Sequence, residues 1–350
     1  MVYRYYNQTS GKVYDNRYDA IIDKIQNRQT VLMYYRDDEY DKINWKIEPN
    51  ETLKTLYKRR AEQIRNDYDY VVLCYSGGID STNMLESFYY NNIHIDEIVS
   101  IGSFSQDQNT KIDENHNKEI YDNVIPNLNR FNLPNTKKTV IDYTEYFREL
   151  NNFSLYRDYG DDYYKYVGSY PSITYLFWYD LGKFLKLKKK SAIVYGAEKP
   201  YINISEDGRF CMALSDLSVA TYSRYGVDGE SRLNFYSDPE ASDIMRKQLH
   251  LIKNFYFKNV IAENKMTPGE FFETKNYLKT ICSLVYDVKN PLVFIGNKSS
   301  SQYLSVRDTY IKSKTNSDIF GLYAQALKKM VKSIPINTRH PIYTKKYFIT

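Results

Sequence analysis

An apolar run from Tyr70 to Tyr75 breaks at Ser76-Gly77-Gly78-Ile79-Asp80-Ser81, and Met84, Leu85 and Phe88 then recur at helical spacing. Strand, tight glycine turn and helix therefore follow one another without a spacer, which is the signature of an α/β chain. Two successive glycines let the backbone turn with its N–H groups inward and no Cβ atoms in the way. The helix behind them points its positive end into the same hollow. Ser76 and Ser81 add hydroxyl donors, and Asp80 adds a carboxylate suited to a magnesium ion. These residue types in this order suit a polyphosphate. The chain has no GxxxxGK(S/T) run and no GxGxxG, so the two commoner nucleotide loops are excluded.

The six residues Ser76 to Ser81 resemble the SGGxDS pyrophosphate loop of the N-type ATP pyrophosphatases, and all six positions match. That superfamily includes GMP synthetase, NAD synthetase, tRNA-lysidine synthetase, 7-cyano-7-deazaguanine synthase and the C-terminal domain of asparagine synthetase. The resemblance implies a parallel-sheet, Rossmann-like core of the adenine nucleotide alpha hydrolase type, with ATP and Mg2+ as cofactors. It assigns nucleotide binding to Ser76, Gly77, Gly78, Ile79, Ser81 and Thr82, and a metal-binding, catalytic role to Asp80.

Just beyond the second strand, expected at 96–102, the family's chain reaches the adenine and ribose. This places Gly102 and Phe104 at the base, although Phe104 reads equally well as a core aromatic. A further strand at 191–196 runs into Gly196-Ala197-Glu198-Lys199-Pro200, which is similar to phage and viral relatives of the asparagine-synthetase-like group. Lys199 is thereby a catalytic candidate, neutralising charge on the departing phosphates. The role of Glu198 stays open, and Arg209 and Asp216 are weaker candidates.

In the implied reaction, an oxygen of a carboxylate or amide-like carbonyl attacks the α-phosphorus of ATP and pyrophosphate leaves. A nitrogen nucleophile then displaces AMP from the adenylate. Positioning and charge stabilisation carry most of such catalysis, so no activated protein nucleophile is needed. Cys74, Cys211 and Cys282 are far apart. They match neither the zinc cluster of the deazaguanine synthases nor the paired cysteines of thiolating tRNA enzymes, nor the C-terminal cysteine of PAPS reductases. A C–N-bond-forming ligase remains, most like the asparagine synthetase C-terminal domain, with a small-molecule or nucleobase acceptor. Position 2 is Val2, so the glutaminase nucleophile of some relatives is missing there, and nitrogen comes from solution or from an ammonia-donating partner. Two alternatives are a nucleobase- or tRNA-modifying enzyme of the same superfamily and a non-catalytic nucleotide-binding protein. Retention of Asp80 and Ser81 argues against the latter, since a pure adenine binder can lose both.

At 350 residues the chain divides into a small α+β unit (1–49), a PP-loop ATP-binding domain (50–204) and a mainly helical lobe over the acceptor (205–350). A net charge of +5 tolerates ATP or RNA without demanding either, and basic residues near Tyr343 and Tyr347 leave nucleic acid open. The 38 tyrosines, with abundant Asn, Lys and Ile, point to an AT-rich coding sequence of the kind phages and viruses carry. Neither a signal peptide nor a run of 18 apolar residues is found, so no membrane association and a cytoplasmic location with reduced thiols are expected.

Periodicity predicts a helix over 18–25, a strand over 30–35 and a helix over 51–66 capped by Asn50, with Lys58-Arg59-Arg60 on its solvated side. It further predicts a helix over 115–125 stopped by Pro126, a strand over 138–142, a loop over 148–168 and a helix over 173–187 ended by Lys186 to Lys190. From about residue 205 helices are expected to replace the β/α rhythm, at 238–257, 271–286 and 318–332. The lysine run, the pair Asp161-Asp162 and the scattered histidines have bland readings as helix-end, solvated and packing residues.

Overall fold

A computed structural model describes residues 4–14, 20, 23–24, 27–102, 119–142, 181–182, 184–187, 190–196, 201–205, 207–216, 230–258, 275–286 and 342–350. At the N-terminus β1 (Arg4–Asn7), β2 (Val13–Tyr14) and β3 (Val31–Tyr34) form an antiparallel sheet in the order β2-β1-β3. The short α1 (Asp37–Tyr40) and the long α2 (Leu53–Asp67) lead into the central sheet.

In α2 the buried residues are Leu56, Tyr57, Arg60, Ala61 and Ile64, one stripe at helical spacing. Its cap is Thr52, whose Oγ1 accepts from the Thr55 N–H at 3.2 Å, and not Asn50 as the pattern suggested. The expectation that Arg60 is solvated also needs correction. Position 60 falls on the buried stripe, and its guanidinium meets the Asp238 carboxylate at 3.1 Å with both side chains at most 4% exposed. Lys58 and Arg59 are exposed.

The central sheet contains β4 (Tyr70–Cys74), β5 (Glu97–Gly102), β6 (Lys137–Asp142) and β7 (Ser191–Tyr195). After a hairpin of β8 (Tyr201–Ile204) and β9 (Phe210–Ala213) it gains β10 (Glu230–Asn234). All its pairings are parallel, in the order β10-β7-β4-β5-β6. Counting its strands along the chain, this is 5-4-1-2-3, the doubly wound order. Interior strands of such a sheet are covered on both faces, which is why Val71 to Tyr75 and Ser191 to Tyr195 are uninterrupted buried runs. The parallel strand β10 corrects the expectation that helices alone follow residue 205.

Between β4 and β5 lies α3 (Ile79–Tyr89), which packs on α2 and buries every residue from Ser81 to Phe88. After β5, a π-helical turn (Glu119–Val124) runs into α4 (Ile125–Leu128). Pro126 therefore does not stop a helix. It sits in the first turn of α4, where a missing N–H costs no helical bond. A 3-10 turn (Pro239–Ala241) opens α5 (Ser242–Tyr256), and α6 (Lys275–Val285) follows. Their positions agree with the helical periodicity, as does β3 with its predicted strand. The predicted loop at 148–168 and helix at 318–332, and most of the helices at 18–25 and 173–187, lie outside the described residues.

Near the C-terminus β11 (Tyr347–Phe348) extends the hairpin into a sheet of order β11-β9-β8. The same segment joins the N-terminal sheet, the Met33 N–H donating to the Tyr343 carbonyl at 2.8 Å. Asp216 secures this join. Buried completely, it accepts from Tyr5 Oη at 3.2 Å and from the Ile342 N–H at 3.0 Å. Arg209 instead stands on an exposed turn, paired with Asp207 and stacked on Phe348. One large apolar cluster unites the N-terminal sheet, α2, α3, α5, α6 and the C-terminal strand, and a smaller one of Val72, Cys74, Val99, Leu181, Ile193 and Tyr195 covers the other face of the central sheet. All three cysteines are buried. No described helix is long and apolar enough to cross a membrane.

Candidate functional site

The order of the parallel strands reverses between β4 and β7. Crevices form outside the carboxyl ends of strands at such a point, because the connections leave there in opposite directions. Ser76 to Ser81 follow β4, and Gly196 follows β7. The glycine turn and the end of β7 are thus neighbours at the switch point, and the contact is close. A Cβ on Gly196 would stand 2.9 Å from Ser81 Cα and 3.1 Å from the Asp80 carbonyl oxygen, so only glycine lets the strand end approach the first turn of α3 this closely.

Gly77 has φ +68°, the left-handed region that glycine enters without steric cost. Its open side faces the π-helical turn, where an added Cβ would lie 3.2 Å from Asn123 Cβ. Gly78 is the N-cap of α3 and supplies no capping side chain. Ser81 closes the turn from within: its buried hydroxyl donates to the Gly78 carbonyl at 3.0 Å and accepts from the Ser76 N–H at 3.3 Å. The Ser76 hydroxyl lies 3.3 Å from Ser81 Oγ on an exposed residue. Thr82 is fully buried with its hydroxyl 3.2 Å from Tyr75 Oη, and burial pushes that phenol up to about 12. Ile79 packs against the main core cluster, and Gly102 ends β5 on the same edge of the sheet, paired with Asp142.

Asp80 sits half-buried in the first turn of α3. Its carboxylate accepts a hydrogen bond from Tyr286 Oη, and its carbonyl accepts one from Tyr236 Oη at 2.7 Å. Asn83 Nδ2 donates to the same Tyr236 oxygen at 2.9 Å. Burial first, and then the Asp80 charge, push the Tyr286 phenol well above the usual tyrosine range. Tyr236 is raised too, by burial and then by Tyr57. Tyr236 is held by its loop, which Arg60 pins through Asp238 and Tyr40 pins by donating from its hydroxyl to the Ser237 carbonyl.

Seven of the sequence-derived site residues, Ser76 to Thr82, thus share one turn at the switch point, with Gly102 at the end of the adjoining strand. Phe104 and Lys199 lie outside the described residues. The sequence alone does not point to Asn123, Tyr236 or Tyr286, and it gives Gly196 as the end of a strand and the start of the Gly-x-x-Lys-Pro stretch, without its contact to the glycine turn. A glycine directly after a buried strand was a usable signal for Gly196. Nothing distinguishes Tyr236 or Tyr286 from the other tyrosines.

The described residues contain no group of three or more His, Cys, Asp or Glu side chains arranged to hold a metal ion. Magnesium is commonly held by one or two carboxylates together with substrate phosphates, so Asp80 beside a glycine turn without a side-chain cap would suit a cation carried in by a polyphosphate.

By fold the chain is an α/β protein built on a doubly wound parallel sheet. No family model matches its sequence, and no curated protein matches it at a significant level.

Proposed function

We propose that this protein is an AMP-forming ligase of the ATP pyrophosphatase type, with an adenine nucleotide alpha hydrolase core. The observation that carries the reading is the complete SGGxDS sequence on a strand–turn–helix at the switch point of the sheet. Backbone N–H groups of the turn and the Ser76 hydroxyl bind the β and γ phosphates. Asp80 holds the magnesium ion, which neutralises phosphate charge. Lys199, following β7, adds a cation as pyrophosphate departs. The acceptor, a small carboxylate or a nucleobase carbonyl, takes AMP on its oxygen and exchanges it for nitrogen.

Release of pyrophosphate from ATP, assayed with ammonia and a panel of acceptors, tests this. Asp80→Asn is expected to abolish magnesium-dependent release while the melting temperature stays near the wild-type value, because asparagine still accepts the Tyr286 hydrogen bond. Undiminished release by Asp80→Asn would remove the metal role. ATP binding without pyrophosphate release for any acceptor would instead make the protein a nucleotide sensor.

A further inference from the structure

Tyr286 directly follows α6, and its N–H donates to the Cys282 carbonyl at 2.9 Å, so the last turn of the helix sets where the ring begins. The ring is buried among two other tyrosines, with centroids 5.5 Å from Tyr236 and 6.5 Å from Tyr57. Tyr57 and Tyr236 meet edge to face at 5.7 Å. Tyr57 Oη donates to the Val285 carbonyl at 2.5 Å and accepts from Gln248 Nε2 at 2.9 Å. Three rings from α2, the loop after β10 and the end of α6 therefore fix one another. Two of their hydroxyls reach the same residue, Tyr236 at the Asp80 carbonyl and Tyr286 at Asp80 Oδ1.

An aspartate in the first turn of a helix has staggered alternatives, including ones that fold back onto nearby backbone N–H groups. A donor fixed by packing selects one of them before any ligand arrives. It does not use up the carboxylate, whose two oxygens offer about four lone-pair sites. We infer that Tyr286 is a positioning residue, its hydroxyl holding the Asp80 carboxylate in the orientation that receives the magnesium ion carried by the nucleotide. The inference rests on the ATP-binding reading above, and it makes the end of a C-terminal helix part of the phosphate site. Outer-shell hydrogen bonds of this kind are worth about 10–100-fold in metal affinity.

The test compares the intact wild-type chain with Tyr286→Phe, which keeps the ring and deletes the donor. Binding of a fluorescent ATP analogue is followed as magnesium is titrated, and thermal melting is recorded in parallel. The magnesium midpoint is expected to rise about tenfold or more in the variant, with metal-free nucleotide binding retained and a cooperative melt at a slightly lower temperature, since one partly buried hydrogen bond to a carboxylate is lost. An unchanged or lowered midpoint would overturn the inference, as would an equal loss of binding with and without magnesium. If the phenylalanine variant does not fold, Tyr286→Met fills the space with an adaptable side chain lacking the donor and is read the same way. A wild-type protein that binds no nucleotide at any magnesium concentration removes the ATP-binding reading itself. Wild-type binding with an unmoved midpoint in the variant removes only the role of Tyr286.

Discussion

Arg60 stands between Lys58-Arg59 and Ala61, and its neighbours in sequence suggest a solvated cation. Its position on the stripe of α2 and the carboxylate of Asp238 decide otherwise. Burial pushes Asp238 up to about 6 even though the Arg60 charge lowers it. A carboxyl raised above its unfolded value near 3.8 stabilises the fold most when protonated, so this contribution is lost as pH rises through about 6. Arg60→Met leaves the carboxyl buried without its counter-charge and is expected to cost about 3–5 kcal/mol at pH 8. Without the cation, Asp238 takes up its proton at still higher pH, so the deficit shrinks at pH 5. Urea denaturation of both proteins at the two pH values checks the sign, and a deficit that grows on acidification would refute it. The effect extends to the first turn of α3, because Asp238 lies in the loop that carries Tyr236 to Asp80.

At the level of elements, the first turn of α3 is held from three directions: by Gly196 after β7, by Tyr236 after β10 and by Tyr286 after α6. The strand and helix on either side of the turn were legible from an apolar run and a 3.6-residue period, both of which follow from local geometry. The three supports were not, since each comes from more than 100 residues away. Gly196→Ala places a methyl group 2.9 Å from Ser81 Cα, against backbone that cannot rotate away. Overpacking of this kind costs about 1–3 kcal/mol. The variant is therefore expected to unfold at lower denaturant concentration and, on the proposed ATP-binding function, to bind ATP more weakly than wild type. Wild-type values in both measurements would mean that the β7 end does not position the turn.

Across the whole molecule, residues 342–350 tie the N-terminal sheet to the β8–β9 hairpin, with Ile342, Tyr347 and Ile349 all buried. Those three side chains together contribute roughly 5–9 kcal/mol of burial, which is comparable to the total stability of about 5–15 kcal/mol typical of a folded protein. A chain ending at residue 341 is expected to lose its cooperative thermal transition by circular dichroism, and an unchanged melt would show the tail to be dispensable. The tail also illustrates where sequence reading stopped. Its basic residues and tyrosines left nucleic acid open, and nothing in the sequence signalled that Lys345 pairs with Asp41 or that Tyr347 Oη donates to Asp37. Such contacts join residues some 300 positions apart, and no local pattern encodes them. By itself the sequence determined the α/β character, the strand–glycine turn–helix unit and the residues that line the turn, because periodicity and glycine's access to positive φ act over a few neighbouring residues. Only the tertiary structure decided that β10 belongs to the central sheet, that the turn lies at its switch point and that Arg60 is buried. It alone brought two distant tyrosines to Asp80, since burial and charge pairing depend on which surfaces meet once the chain has closed on itself.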